Sequence, residues 1–137
     1  MRTRQISVLT GGRESVHDLT AECSAFLDEV AMGSDGLLHV FAPHATVGVA
    51  LIETGAGSEH DLLRALHDVL PPDGRWRHRH GSAGHGRDHL VPAFVAPYAT
   101  LPVVQGRMAL GTWQSIVLVD TNADNPERLI RLSFLGG

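Results

Sequence analysis

Residues 75–89, RWRHRHGSAGHGRDH, hold four of the nine histidines, His78, His80, His85 and His89, interleaved with Arg75, Arg77, Arg79 and Arg87. Neutral imidazole is a common nitrogen ligand for zinc and its neighbours, so converging histidines can bind a metal without any thiolate. Read as an extended strand of period two, the segment puts Arg75, Arg77 and Arg79 on one face and Trp76, His78 and His80 on the other. That predicts a cationic face suited to anions, backed by imidazoles beside an aromatic ring. The same composition also fits a solvated basic loop, and a ligand from elsewhere in the chain would separate the two.

Other candidates stand where strands should end. His44 lies in the turn Pro43-His44-Ala45-Thr46, just ahead of the apolar run 47–52, a place where ligands held by rigid scaffolds are often found. Glu53 closes that run and Asp120 closes the run 116–119, so either carboxylate could orient a ligand, bind metal or move a proton. The tetrad Gly111-Thr112-Trp113-Gln114 interrupts an apolar stretch with a glycine and a hydrogen-bonding amide, which points to a bulge or a close approach. Trp113 itself reads as core or subunit-interface packing.

The elements that must position these groups follow from pattern. Residues 5–9 alternate and meet Gly11-Gly12, giving a first strand with 14–17 as its short partner. Asp18 or Thr20 is placed to cap a helix to about Val30, with Leu19, Cys23, Phe26, Leu27 and Val30 on its apolar side. Residues 36–42 and 47–52 read as strands joined by a tight turn. Ser58 is placed to cap a second helix of about a dozen residues, ended by Pro71-Pro72-Asp73-Gly74. Residues 90–96 are ambiguous between helix and strand, and 101–104, 108–120 and 129–135 complete the strands, with a hairpin turn at 103–107 and the long 108–120 strand central. The expectation is an α+β fold, mainly an antiparallel β-sandwich with two helices, in a single domain over residues 1–137.

Composition sets limits. Charged residues make up 19% of the chain, below the usual quarter or so, which suggests that part of the surface is covered in an oligomer. A formal charge of −4 argues against a general grip on nucleic acid. The chain has no lysine, which removes Schiff-base chemistry and the Gly-Lys-Ser/Thr phosphate loop. Cys23 is the only cysteine, so any metal must be held by histidine and carboxylate. No apolar run reaches the twenty or so residues that span a bilayer, and the N-terminus lacks a signal core, so the expected compartment is the cytoplasm.

The segments PHATVGVALIE from Pro43, WRH at Trp76-Arg77-His78, His89 with Pro102 beyond it, and GRMALGTWQSIVLVD from Gly106 resemble the YjbQ-like family, often named secondary thiamine-phosphate synthases. The resemblance covers residues 36–135, and its Leu-Gly-Thr-Trp-Gln block is specific. Ala45, Trp76, Ile52 and Asp120 depart from the family's usual Thr, Tyr, Asn and Glu. The resemblance implies that His44, His78 and His89 form a metal-binding set, and it implies a trimer with sites near subunit boundaries. The expected function is a metal-dependent coupling of a thiazole phosphate with a pyrimidine pyrophosphate. Zinc is the first choice of cation, with magnesium or manganese as alternatives. Glu53, Asp120 and Gln114 would be catalytic, and Thr46, Arg77, Arg79, Arg107 and Arg128 would bind the phosphorylated substrate. The alternatives are a metal-dependent hydrolase of a small phosphorylated molecule and a non-catalytic metal- or anion-binding module.

Overall fold

Ile116, Val117, Leu118 and Val119 are each 0% exposed, the signature of a strand covered on both faces. A computed structural model describing residues 1–137 shows how. Its order is β1 (Arg2–Leu9), β2 (Ser15–Asp18), α1 (Thr20–Val30), β3 (Gly36–Phe41), β4 (Val47–Ile52), α2 (Ser58–Val69), a 3-10 turn (His85–Leu90), α3 (Val91–Phe94), β5 (Tyr98–Val104), β6 (Arg107–Met108), β7 (Ser115–Asp120) and β8 (Glu127–Gly136). The fold is α+β, with one antiparallel sheet in the order β1-β8-β3-β5-β6 and another in the order β2-β7-β4. Ile116 and Leu118 of β7 join the main core with β3, β5, β8 and the apolar side of α1. Val117 and Val119 turn the other way, onto Leu66 of α2.

Cys23 packs inside that main core, and burial pushes its thiol up to about 12. A thiol held so far above neutrality is a small apolar filler and not a nucleophile. No helix is long and apolar enough to cross a membrane.

Several expectations need correction, each for a tertiary reason. The segment 14–17 does not pair with the first strand: β2 pairs with β7, Ser15 opposite Asp120, while β1 pairs with β8. The strands β3 and β4 do form but fall in different sheets. The run 108–120 is not one strand; it breaks after β6, where Gln114 Oε1 accepts from the Gly111 N–H at 2.8 Å and closes a turn. Ser58 opens α2 without capping it, because Gly57 at φ 101 occupies the N-cap. Leu19 holds the N-cap of α1, and Asp18 Oδ1 accepts from the Thr20 N–H at 2.9 Å. The ambiguous stretch 90–96 holds a third helix, α3, with Pro92 in its first turn where a missing N–H costs nothing. Residues 75–80 form no strand at all. They have no ladder partner and run as an irregular loop over the 3-10 turn.

A candidate four-histidine metal centre

That loop and that turn bring the imidazoles together. Gly86 is the contact point: a Cβ added there would meet the His78 carbonyl and stand 2.7 Å from Trp76 Cβ, so only glycine lets the two backbones lie this close. Trp76 anchors the loop from the other side, its indole N–H donating to the Pro71 carbonyl at 2.8 Å. The result is that one ligand atom from each of His78, His80, His85 and His89 lies within 4.8 Å of the others. Ring centroids of His78 and His80 are 4.0 Å apart, as are those of His78 and His89.

The donor set fits a divalent cation. His85 Nε2 and His89 Nε2 are 2.9 Å apart. Two nitrogens bound at about 2.0–2.1 Å to one zinc stand roughly 3 Å apart, so this pair is already at ligand spacing. His78 and His80 are exposed, His89 is half-buried and His85 is buried, so two donors are anchored and two can adjust. Burial, then the neighbouring imidazoles, lowers the pKa of His78 and of His89. Both therefore favour the neutral, ligating form.

Because both folded-state values lie below the ordinary 6.5, the unfolded chain takes up protons first as pH falls. The contribution is present above about pH 6.5 and is lost as pH drops below it. Denaturant midpoints of metal-free protein are expected to fall between pH 7.5 and 5.5, and His78→Gln with His89→Gln should flatten that dependence. Equal slopes in the two proteins would refute the assignment.

A buried polar network supports the turn from below. Asp88, 3% exposed, accepts from Thr121 Oγ1 at 2.7 Å, from Asn122 Nδ2 at 3.0 Å and from Arg87 Nε at 3.1 Å. Arg87, 1% exposed, also pairs with Glu14, whose other oxygen accepts from His67 at 2.6 Å. Sequence reasoning placed His80 and His85 in the histidine stretch without assigning them to the ligand set, and it overlooked Asp88, Asn122 and Asp124. The available signals were the spacing of four between His85 and His89 and the polar run Thr121-Asn122-Ala123-Asp124-Asn125 between two strands.

The expected triad is assembled only in part. His78 and His89 meet, while His44 lies outside the group, its Nε2 accepting from the Leu129 N–H at 3.0 Å beside β8. Burial and then the Arg128 charge lower the His44 pKa. Asp120 is not poised toward a substrate: at 0% exposure it is clamped by Arg128, Nε to Oδ2 at 2.7 Å and Nη2 to Oδ1 at 3.0 Å. That pairing also withdraws Arg128, 2% exposed, from anion binding. Thr46 is buried at the same end of β4. Gln114 and Glu53 sit at the opposite end of the β4–β7 pair, where Ile52 faces Ser115. A six-residue strand separates them from Asp120 by roughly 20 Å, so these three do not share a site within one chain. Trp113 is 72% exposed, which rules out the core reading. Arg107 lines a separate hollow of about 400 Å³ between α1 and β6.

Arg79 remains beside the histidines. With Trp76, His78 and His85 it lines a cavity of about 310 Å³, and its Nε donates to the Trp76 carbonyl at 3.2 Å. Arg77 is exposed on the same loop.

A family model described as UPF0047 protein YjbQ-like matches residues 4–137. A UPF0047 protein of Mycobacterium tuberculosis is 58% identical over 137 residues, covering 100% of each chain. The UPF0047 protein YugU of Bacillus subtilis is 32% identical over 117 residues, 82% of this chain and 84% of its own. Among solved structures, a hypothetical protein from Aeropyrum pernix superposes with a TM-score of 0.89 at 33% identity, with 100% of both chains covered. A YbjQ-like protein of unknown function from Sulfolobus solfataricus gives 0.91 at 25% identity, covering 99% of this chain and 97% of that one.

Proposed function

We propose that this chain, which belongs to the UPF0047 YjbQ-like family, is a metal-dependent enzyme acting on a small phosphorylated substrate. The observation that carries the reading is the convergence of four imidazoles, two of which, His78 and His85, line a cavity together with Arg79. His78, His80, His85 and His89 would hold the cation, zinc by donor type. When bound there, it supplies Lewis-acid polarisation of a phosphoryl or pyrophosphoryl oxygen. Arg79, with Arg77 beside it, offers guanidinium donors to the same anionic group. Trp76 gives the cavity its one aromatic wall.

The reaction proposed is the coupling expected from the resemblance. A thiazole nitrogen attacks the methylene carbon of a pyrimidine pyrophosphate, a carbon–nitrogen bond forms, the carbon–oxygen bond breaks, and pyrophosphate leaves. That nitrogen carries no proton, so the step needs no general base. This suits a centre whose two adjacent carboxylates are engaged, Asp88 with Thr121 and Asn122, and Asp124 with Ser82 and His85. Hydrolysis of a phosphate ester is the second reading, and it would require one of those carboxylates to be released.

We further propose a homotrimer built on a β-sandwich. Support for assembly comes from the outer face of the five-stranded sheet, where Leu37, Tyr98, Val104, Leu129 and Leu135 are between 39% and 52% exposed with nothing covering them. Support for the sandwich comes from a core drawn from both sheets.

Incubating zinc-loaded protein with the two substrates is expected to yield thiamine phosphate and pyrophosphate, both abolished by a chelator. No product would overturn the coupling. Chelator-sensitive phosphate release from simple monoesters, without coupling, would favour the hydrolase.

A further inference from the structure

We infer that Asp124 is a positioning residue of this centre, accepting the Nδ1 proton of His85 and so leaving the His85 Nε2 lone pair for a cation. The inference rests on the metal reading above, but its own evidence is the hydrogen bonding of the loop between β7 and β8.

Two groups compete for one imidazole nitrogen. Asp124 Oδ2 lies 2.7 Å from His85 Nδ1, and Asn122 Nδ2 lies 2.8 Å from the same atom. The first contact requires Nδ1 to donate, and the second requires it to accept. The orientation of the Asn122 amide is set by its other partners. Its Oδ1 accepts from the Asp124 N–H at 3.0 Å and from Asn125 Nδ2 at 3.4 Å, while its Nδ2 donates to Asp88 Oδ2 at 3.0 Å. Asn122 can therefore offer His85 only an N–H.

If Nδ1 accepted that N–H, its lone pair would face a carboxylate oxygen at 2.7 Å, around a ring that is only 7% exposed. Little water would be present to screen that repulsion. Protonating Nδ1 turns the repulsion into a charge-assisted hydrogen bond, and Asn122 keeps Asp88 as its acceptor. The tautomer follows: Nε2 is bare and directed at His89 Nε2, 2.9 Å away. A carboxylate behind a ligating imidazole fixes its orientation and raises its basicity.

The chain keeps this contact open. The Ser82 N–H donates to the same Asp124 oxygen at 3.2 Å. At the adjacent Gly81, at φ +82, an added Cβ would stand 2.6 Å from Asp124 Oδ2 and 2.9 Å from His85 Nδ1. Any side chain there would pry the pair apart.

Imidazole 15N shifts of metal-free wild type, with His85 assigned by comparison with His85→Gln, read the tautomer directly. The expected result is Nδ1–H in wild type and Nε2–H or a mixture in Asp124→Ala. Cobalt(II) titration followed by visible absorption is expected to show binding about 10–100-fold weaker in Asp124→Ala. Asp124→Asn, whose amide oxygen can still accept, should fall between them, and it serves if the alanine variant does not fold. His85 protonated at Nε2 in wild type, or cobalt binding unchanged in Asp124→Ala, would overturn the assignment. Failure of wild type to bind cobalt would remove the metal reading, while the tautomer would still decide the role of Asp124.

Discussion

Replacing His85 with alanine is expected to take tag-free protein from about one divalent cation per chain to near none, with its far-UV circular dichroism unchanged. His85 is the buried donor of the set, already at ligand spacing from His89 and backed by the β7–β8 loop. Its loss removes the fixed point toward which the exposed His78 and His80 rings must close. The effect should exceed the roughly 10–100-fold cost of losing a group behind a ligand. His44→Ala is the informative comparison. Its imidazole is occupied by the Leu129 backbone and lies outside the group, so that variant should retain the cation. Metal analysis of the two purified variants decides the matter. If His44→Ala, still folded, loses as much metal as His85→Ala, the cation is not held by the single-chain cluster.

The largest effect on stability is expected at Asp120. Its carboxylate and the Arg128 guanidinium are both almost fully buried and joined by two hydrogen bonds. Asp120→Ala leaves a guanidinium uncompensated away from water, a loss of about 3–5 kcal/mol. For a domain of this size the melting temperature should fall by on the order of 10 °C. Replacing both partners with apolar residues of similar volume, Asp120→Leu with Arg128→Met, should recover part of the loss, because it removes the unpaired charge but leaves the buried Asn122 N–H, which donates to Asp120 Oδ1 at 2.9 Å, without an acceptor. Equilibrium denaturation of the two single variants and the double variant tests this as a cycle. An Asp120→Ala variant within about 1 kcal/mol of wild type would show that the pair is not the buried tie described here.

What could be read from pattern was local. The burial stripe of α1, the alternation of β1 and the unbroken apolar run of β7 are each encoded within a few residues. Pairing was not: β1 is left as an edge of the five-stranded sheet, yet residues 15–18 join β7 in the other sheet, a choice that no local pattern encodes. The same holds at the site. The four histidines were visible as composition, but their convergence depends on Gly86 admitting a second backbone, which spacing does not announce. Asp120 was read as a catalytic carboxylate closing an apolar run and Arg128 as an anion contact, two separate chemical groups. A short loop returns the chain so that the end of β7 meets the start of β8, and the two charges neutralise each other. His44 was singled out by its place in a turn ahead of a strand and joined to the metal set by resemblance, and within one chain nothing brings it to the other histidines.

All four imidazoles come from residues 78–89, whereas the large sheet joins the chain's two ends, Arg2 facing Phe134. Loop-closure entropy grows with the length of chain enclosed, and folding slows as the mean separation of contacts rises. Gathering the donors is thus a low-contact-order event, and zipping β1 onto β8 is a high one. Asn122 and Asp124 reach His85 only once β7 and β8 are in place. Under the proposed metal reading, ion capture would divide in time: a loose, readily reversed grip by the twelve-residue segment, followed by a lock that closes when the last strand docks.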